Sequence, residues 1–119
     1  MKIIRLEVTT NTAGAGTSAL VPVPGGGVVH AVQCIDGDFA DGVDLTLTAE
    51  MDSLSIPILT ILNFNTDQIL YPRVLENLNT DGTVLTTHTK PLAVGQLKAV
   101  VAQGGSVKTG SFIVYITED

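Results

Sequence analysis

The sequence predicts an all-β fold, a single-domain antiparallel β-sandwich of jelly-roll-like type or a small barrel, with about seven or more strands across residues 1–119. Three observations support this prediction. Several segments alternate apolar and polar residues, glycine and proline separate them at short intervals, and no helical period lasts longer than one turn. At 119 residues the chain has the size of one domain and is long enough to bury a hydrophobic core.

The strongest strand signal lies between Val43 and Phe64, and the rest of the chain is expected to cover it. Residues 43–50 alternate strictly between apolar and polar side chains, which is the period of a half-buried strand. Residues 54–64 form the longest apolar run and contain Pro57, which the interior of a helix would not tolerate. We predict a second, more deeply buried strand there, joined to the first as an antiparallel hairpin.

The segments before this hairpin supply further strands. Lys2–Thr10 alternates and predicts a first strand with one face in water. Ala19–Val23 is extended, and its prolines confine it to the margin of a sheet. Val28–Ile35 predicts another strand, and either of its faces fits the core. We expect the inner face to be the one formed by Val28, His30, Val32 and Cys34.

The segments after the hairpin are less regular. Ile69–Arg73 is short and extended, and residues 74–90 have no sustained period. Within them Leu75–Leu78 fits one helical turn, its Asn, Asp and Gly neighbours favour loops, and the threonine-rich Thr83–Thr89 stretch favours a strand. Gln96–Ala102 and Ser111–Thr117 then predict two strands that pair as a closing hairpin across a connection rich in glycine.

The composition limits the classes of function. The net charge is −6, from twelve acidic and six basic residues, and no basic stripe is present to bind nucleic acid. The chain is 45% hydrophobic and only 15% charged, so one copy is expected to expose apolar surface. We therefore predict a homo-oligomer. The basic residues are scattered, at Lys2, Arg5, Arg73, Lys90, Lys98 and Lys108.

The cellular compartment is predicted from the cysteine count and the N-terminus. Cys34 is the only cysteine, which excludes an internal disulfide and favours a small buried apolar residue. The N-terminal residues 1–7 are interrupted by charges at Lys2, Arg5 and Glu7 and lack the apolar core of a signal peptide. No apolar run reaches transmembrane length. We expect synthesis in a cytoplasm and no membrane partner.

The sequence predicts no catalytic residue, no cofactor and no metal ligand. His30 and His88 have no second histidine or glutamate at metal-ligand spacing, so structural roles are expected for both. The acidic segment Asp36–Gly42 departs from the calcium-binding EF-hand pattern at its fifth and sixth positions. A solvated turn is the expected explanation, and a weak cation site is the alternative. The glycine clusters join strand to strand and lack the following helix that a phosphate loop needs.

Tyr71, Pro72 and Arg73 form the candidate protein interface. They are the one place where an aromatic residue and an isolated arginine meet in the sequence. Such pairs are enriched at the energetic centres of protein interfaces. The alternative is that Arg73 neutralises a neighbouring acid.

Three blocks resemble a known group of proteins. They are Asp38–Thr48, Tyr71–Arg73 and Val100–Phe112, and their order and spacing are similar to those of small virion structural proteins of tailed bacteriophages. The resemblance covers the chain from about Val28 onward, and the N-terminal strand fits loosely. The middle differs, because the apolar Ile56–Leu62 run and the threonine-rich loop replace more polar, alanine-rich sequence.

The resemblance implies a non-enzymatic particle component, and a capsid cement or decoration protein is the best match. Its partners would be the major capsid protein or other virion proteins, its location the capsid surface, and its assembly a homotrimer by analogy with decoration proteins at threefold sites. A head-to-tail connector or a tail component is the alternative within virion proteins. A ligand- or carbohydrate-binding β-sandwich ranks lower, since few aromatic residues are available. An enzyme ranks last.

Overall fold

The computed structural model describes residues 1–118 and is built from β-strands, with no helix in that range. The all-β prediction is therefore confirmed. The strands are β1 (Lys2–Thr9), β2 (Gly16–Thr17), β3 (Val21–Pro22), β4 (Gly27–Ile35), β5 (Val43–Met51), β6 (Leu54–Phe64), β7 (Gln68–Leu70), β8 (Val74–Asn77), β9 (Val84–Thr89), β10 (Leu92–Ala93), β11 (Gln96–Ala102) and β12 (Thr109–Thr117).

The strands form two antiparallel sheets and a separate hairpin. Sheet A has the order β1-β12-β4-β10, with β7 also paired to β4, and sheet B has the order β2-β11-β5-β6, with β3 also paired to β11. The short β3 lies at the margin of its sheet, as its proline predicts. Strands β8 and β9 pair only with each other, and residues 74–89 are called the arm below.

One hydrophobic core lies between the two sheets, because the inner side chains of both belong to a single buried cluster. At one end of this core the rings of Phe39, Phe64 and Phe112 meet, with centroids 6.1 to 6.5 Å apart. The largest fully buried side chains are Phe112, Leu6, Leu45, Leu47, Leu97, Ile116, Val8, Val29, Val32, Val43, Val101 and Val114.

The predicted hairpin between β5 and β6 is present. Met51 pairs with Leu54 across a two-residue turn, and both turn residues have positive φ, as in the type I′ turns that favour hairpins. The prediction that residues 54–64 are deeply buried is wrong. β6 is the edge strand of sheet B, and only Ile58 and Phe64 are fully buried in it. An edge position also explains why Pro57 is tolerated.

The predicted closing hairpin is wrong. β11 pairs with β5 in sheet B, whereas β12 lies between β1 and β4 in sheet A. The connection between them crosses from one sheet to the other, and it does so at Gly104, where a side chain would press against Thr10 and Val101. A glycine-rich connection permits either a hairpin or such a crossing, so the local sequence does not distinguish them.

The inner face of β4 is only half as predicted. Val32 and Cys34 point into the core, but Val29 replaces Val28 and His30 there. The cause is a register shift beside β12, where Tyr115 pairs with Ala31 and the next residue pairs with Val29. Such a β-bulge adds one residue to a strand and reverses the faces on either side of it.

Residues 74–90, which have no sustained sequence period, form the arm and the residue that follows it. The helical turn suggested for Leu75–Leu78 is wrong, since β8 covers most of it, and the strand suggested for Thr83–Thr89 is confirmed as β9. A six-residue strand is about 20 Å long. That length matches the excess of the longest dimension of the molecule, 48 Å, over the next, 29 Å.

Candidate protein interface

Tyr71, Pro72 and Arg73 follow β7 and lie beside β4 at the base of the arm. Tyr71 is 57% exposed, and its ring stands edge-on to the imidazole of His30, with centroids 5.8 Å apart and an interplanar angle of 76°. Pro72 is buried and holds the backbone in position. An aromatic ring that is supported on one side and open on the other is a suitable anchor for a partner.

Arg73 is held by carbonyl groups. Its Nη1 donates to the carbonyl oxygen of Pro72 at 2.6 Å and to that of His30 at 3.3 Å. Within residues 1–118 the ion pairs found join other residues, so the proposed neutralisation of a neighbouring acid by Arg73 is not the arrangement observed. The guanidinium therefore lies at the surface and is fixed in direction by these two carbonyl oxygens.

The outer face of sheet A continues from this tripeptide. Ile3 lies opposite Tyr115, and Ile113 and Ile69 lie on either side of Gln33 in the next row of side chains. Tyr115 donates its hydroxyl hydrogen to Gln33 Oε1 at 2.9 Å, which fixes its ring against the sheet. We call this surface the apolar face, formed by Ile3, Ile69, Tyr71, Ile113 and Tyr115.

Arginine borders the apolar face on two sides. Arg73 lies at one side, and Arg5 at the other, where its Nη2 donates to Ser111 Oγ at 3.1 Å and its Nε pairs with Glu7 at 3.1 Å. A surface on which tyrosine and arginine surround isoleucine has the composition that is typical of the centre of a protein–protein interface. The sequence identified the tripeptide alone, because the other members of this face come together only through strand pairing.

The outer face of sheet B is polar along its middle, and its exposed large apolar side chains, Met51, Leu54 and Leu62, lie toward the two ends of the β5–β6 hairpin. Glu50 accepts hydrogen bonds from Thr48 Oγ1 at 2.6 Å and from Ser55 Oγ at 2.8 Å, and its carboxylate lies 3.6 Å from Lys98 Nζ. The hydrogen bond from Thr48, then that from Ser55, lowers the pKa of Glu50. Asp44 and Thr46 extend the same face. The two sides of the sandwich are therefore chemically unequal.

The three residues considered for catalysis or metal binding lie in different surroundings. Cys34 is fully buried in the core, and burial raises its pKa to about 12, so its thiol is protonated at neutral pH. His88 is exposed on the arm. His30 supports Tyr71, and its Nδ1 is buried without a hydrogen-bond partner. No group of three or more metal-ligating side chains is found among residues 1–118.

The acidic segment Asp36–Gly42 uses its carboxylates to hold loops together. Asp38 Oδ1 accepts a hydrogen bond from the backbone amide of Thr109 at 2.6 Å, and Asp67 Oδ1 accepts one from that of Asp36 at 2.9 Å. Burial, followed by the neighbouring charges of Asp41, Asp67 and Asp38, raises the pKa of Asp36. This arrangement is that of a hydrogen-bonded turn.

The part of the chain that is described has no detected pocket and no helix long and apolar enough to cross a membrane. Comparison with protein-family models, with curated proteins and with solved structures finds no match.

Proposed function

We propose that this protein is a non-enzymatic structural component of a bacteriophage virion, a capsid cement or decoration protein that binds the shell of major capsid proteins through its apolar face. The observation that carries the proposal is the difference between the two sides of the sandwich. One side presents isoleucine and tyrosine bordered by arginine, and the other presents threonine and paired charges. A protein that lies flat on a shell needs one side for the shell and one for water.

The sequence resemblance to small virion proteins of tailed bacteriophages supports the same proposal. The tripeptide Tyr71–Arg73 belongs both to the blocks that carry the resemblance and to the border of the apolar face. The protein would be made in the host cytoplasm and assemble on the outside of the capsid, away from the packaged genome, as its net charge of −6 favours.

The physical role would be to add association free energy between neighbouring capsomers. Each copy makes a modest contact, and a homotrimer at a threefold site presents three apolar faces at once. Multivalent attachment of this kind raises the overall affinity well beyond that of one contact. The shell would then resist expansion and rupture.

The experiment compares particles with and without the protein. We expect stripped particles to remain intact and to release their DNA at a lower temperature, and purified protein to restore the release temperature. Imaged particles should show it in hundreds of copies on the shell. Equal release temperatures, or a dozen or fewer copies at the neck or tail, would refute the cement function and favour the connector or tail alternative.

Variants test the surface itself. One pair of variants alters the apolar face and its border: Ile69→Lys adds a positive charge there and Arg73→Ala removes one. The control pair makes the same two changes of charge on the outer side of sheet B, with Thr46→Lys and Lys98→Ala. Loss of a central interface residue commonly costs about 2 kcal/mol or more, roughly a 30-fold loss of affinity. We expect that loss for the first pair alone. Equal binding by both pairs would exclude the apolar face.

A further inference from the structure

The arm is a second surface, separate from the apolar face, and its own chain does not cover it. Every residue from 75 to 89 is exposed except the half-buried Leu85, and the exposed ones include Leu75, Leu78 and Val84. Neither of its strands belongs to sheet A or sheet B. A two-stranded hairpin is only marginally stable in water by itself, and further strands or a packing surface are needed to stabilise it.

The tip of the arm is nevertheless well ordered by local hydrogen bonds. Leu78 donates its amide hydrogen to Thr83, Gly82 donates its own to Leu78, and Asn77 Nδ2 donates to the carbonyl oxygen of Gly82. Asp81 accepts two hydrogen bonds from Thr83, which lower the pKa of Asp81. The arm is thus a formed hairpin that presents apolar side chains outside the sandwich.

We propose that the arm is the self-association element of this protein, and that it packs against the arm of a second copy of the same chain. This inference rests on the homo-oligomer of the proposed function but not on its binding to a shell. Three properties carry it: the exposed apolar side chains of the arm, the absence of charge from β9 and the free edge of that strand.

The area of the arm limits the kind of contact that it can make. The chain exposes 6465 Å² over its 119 residues. At that average, the sixteen residues of the arm present roughly 900 Å², counted over both faces and the edges, whereas a standard interface buries about 800 Å² per partner. A contact through one face is therefore smaller than standard, and the arm reaches the standard size where neighbouring copies enclose it on more than one side.

The charge of β9 suits a contact between identical chains. Copies with a net charge of −6 repel one another, so self-association must use a weakly charged part of the surface. Residues 82–89 contain no Lys, Arg, Asp or Glu. The charged residues of the arm are Glu76 in β8 and Asp81 at the tip, so a contact along β9 avoids both.

The free edge of β9 has none of the usual devices against pairing within the strand itself, although Lys90 and Pro91 directly follow it. It lacks proline and charge, which natural edge strands use to prevent association. β6, the long edge strand of sheet B, contains Pro57, which removes a backbone donor from that edge. β9 is thus the better candidate to extend a sheet into a second copy. Two identical strands that pair antiparallel are related by a twofold axis, and three arms that pack by their faces are related by a threefold axis, so either symmetry provides the partner.

The test uses the purified full chain and two matched variants. Val84→Lys places a charge on β9, and Val107→Lys places the same charge on a loop outside the arm. The two valines have the same side chain and nearly the same exposure, 61% and 60%. Both variants make the net charge less negative, so general repulsion between copies falls in each. Sedimentation equilibrium measures the mass.

We expect wild type and Val107→Lys to sediment as the same oligomer, and Val84→Lys to fall to the monomer mass near 12.4 kDa. A monomeric wild type, or an oligomer of unchanged mass in Val84→Lys, would overturn the proposal. Cross-linking gives a second readout, because the only native cysteine, Cys34, is buried. Val84→Cys treated with a bifunctional maleimide should give covalent oligomers, and Val107→Cys should not; the reverse result contradicts the arm contact.

Failure of this test is distinguishable from failure of the proposed function. The arm variants are measured without particles, whereas the variants of the apolar face are measured on the shell. Ile69→Lys should leave the oligomer intact and weaken shell binding. Val84→Lys should dissociate the oligomer and leave the apolar face unchanged.

Discussion

A side chain on Gly110 would overlap the ring of Phe39, because three ring atoms lie within 3.0 Å of the position where its Cβ would stand. The ring of Phe39 is held from its other sides by Phe112, at a centroid distance of 6.4 Å, and by Phe64, at 6.5 Å. Gly110 is the second residue of β12, which lies between β1 and β4 in sheet A, so this contact joins the acidic segment Asp36–Gly42 to the core.

Gly110→Ala should therefore destabilise the protein. The added methyl group forces the ring out of a packed site, and overpacking of this kind costs about 1–3 kcal/mol in the free energy of unfolding. Urea denaturation measures it. Phe39→Leu removes the obstructing ring, so the double variant should lose less than the two single losses combined. Additive losses would contradict the overlap.

Thr10 is the second predicted point of weakness. Its buried hydroxyl donates to the carbonyl oxygen of Gly105 at 2.6 Å and accepts a hydrogen bond from the amide of Lys108 at 2.8 Å. These bonds hold the end of β1 against residues 103–108, the connection between β11 and β12. Thr10→Val keeps the shape and leaves both groups without this partner, at a cost of about 1–3 kcal/mol. Thr9→Val, at the exposed neighbouring position, is the control and should change thermal stability little. Equal losses would contradict this role.

The raised pKa of Asp36 predicts that the stability of the protein depends on pH. Burial and three neighbouring carboxylates raise its pKa in the folded state, and its Oδ1 is buried without a hydrogen-bond partner. A group with a raised folded pKa contributes most below its unfolded value, near pH 3.8, and its contribution is lost as the pH rises through the folded value.

Asp36→Asn removes the charge and should raise the melting temperature at pH 7 while flattening its dependence on pH above 3.8. Asp52→Asn, in the exposed turn between β5 and β6, is the control for a simple change of net charge. A lower melting temperature for Asp36→Asn at pH 7 would show that the carboxylate stabilises the loop.

Val107 offers a stabilising change. It is exposed and has a φ of 52°, a left-handed conformation that a β-branched residue adopts only with strain. Val107→Gly and Val107→Asn should each relieve this strain and raise the stability by up to about 1 kcal/mol. Val107→Ala keeps a Cβ and should gain less. Thermal unfolding ranks the three variants. A lower melting temperature in all of them would show that the valine side chain makes a stabilising contact.

The sequence alone predicted the elements in which local pattern dominates. The alternation from Val43 to Glu50 and the short gap before the apolar run of residues 54–64 indicated the β5–β6 hairpin, because a short connection and a period of two are properties of neighbouring residues. The burial of Cys34 and the marginal place of the strand that contains Pro22 followed in the same way. Tyr71, Pro72 and Arg73 were identified from residue type.

The tertiary structure decided which strands became neighbours. β6 has the apolar composition of a central strand but lies at an edge, and β11 and β12 follow each other in the chain but belong to opposite sheets. The bulge in β4 exchanged Val28 for Val29 in the core. The apolar face likewise arises from three strands, β1, β7 and β12, and the tripeptide. Pairing between distant strands depends on the free energy of the whole core. The inner, apolar side of a single strand fits several partner strands equally well until that core forms.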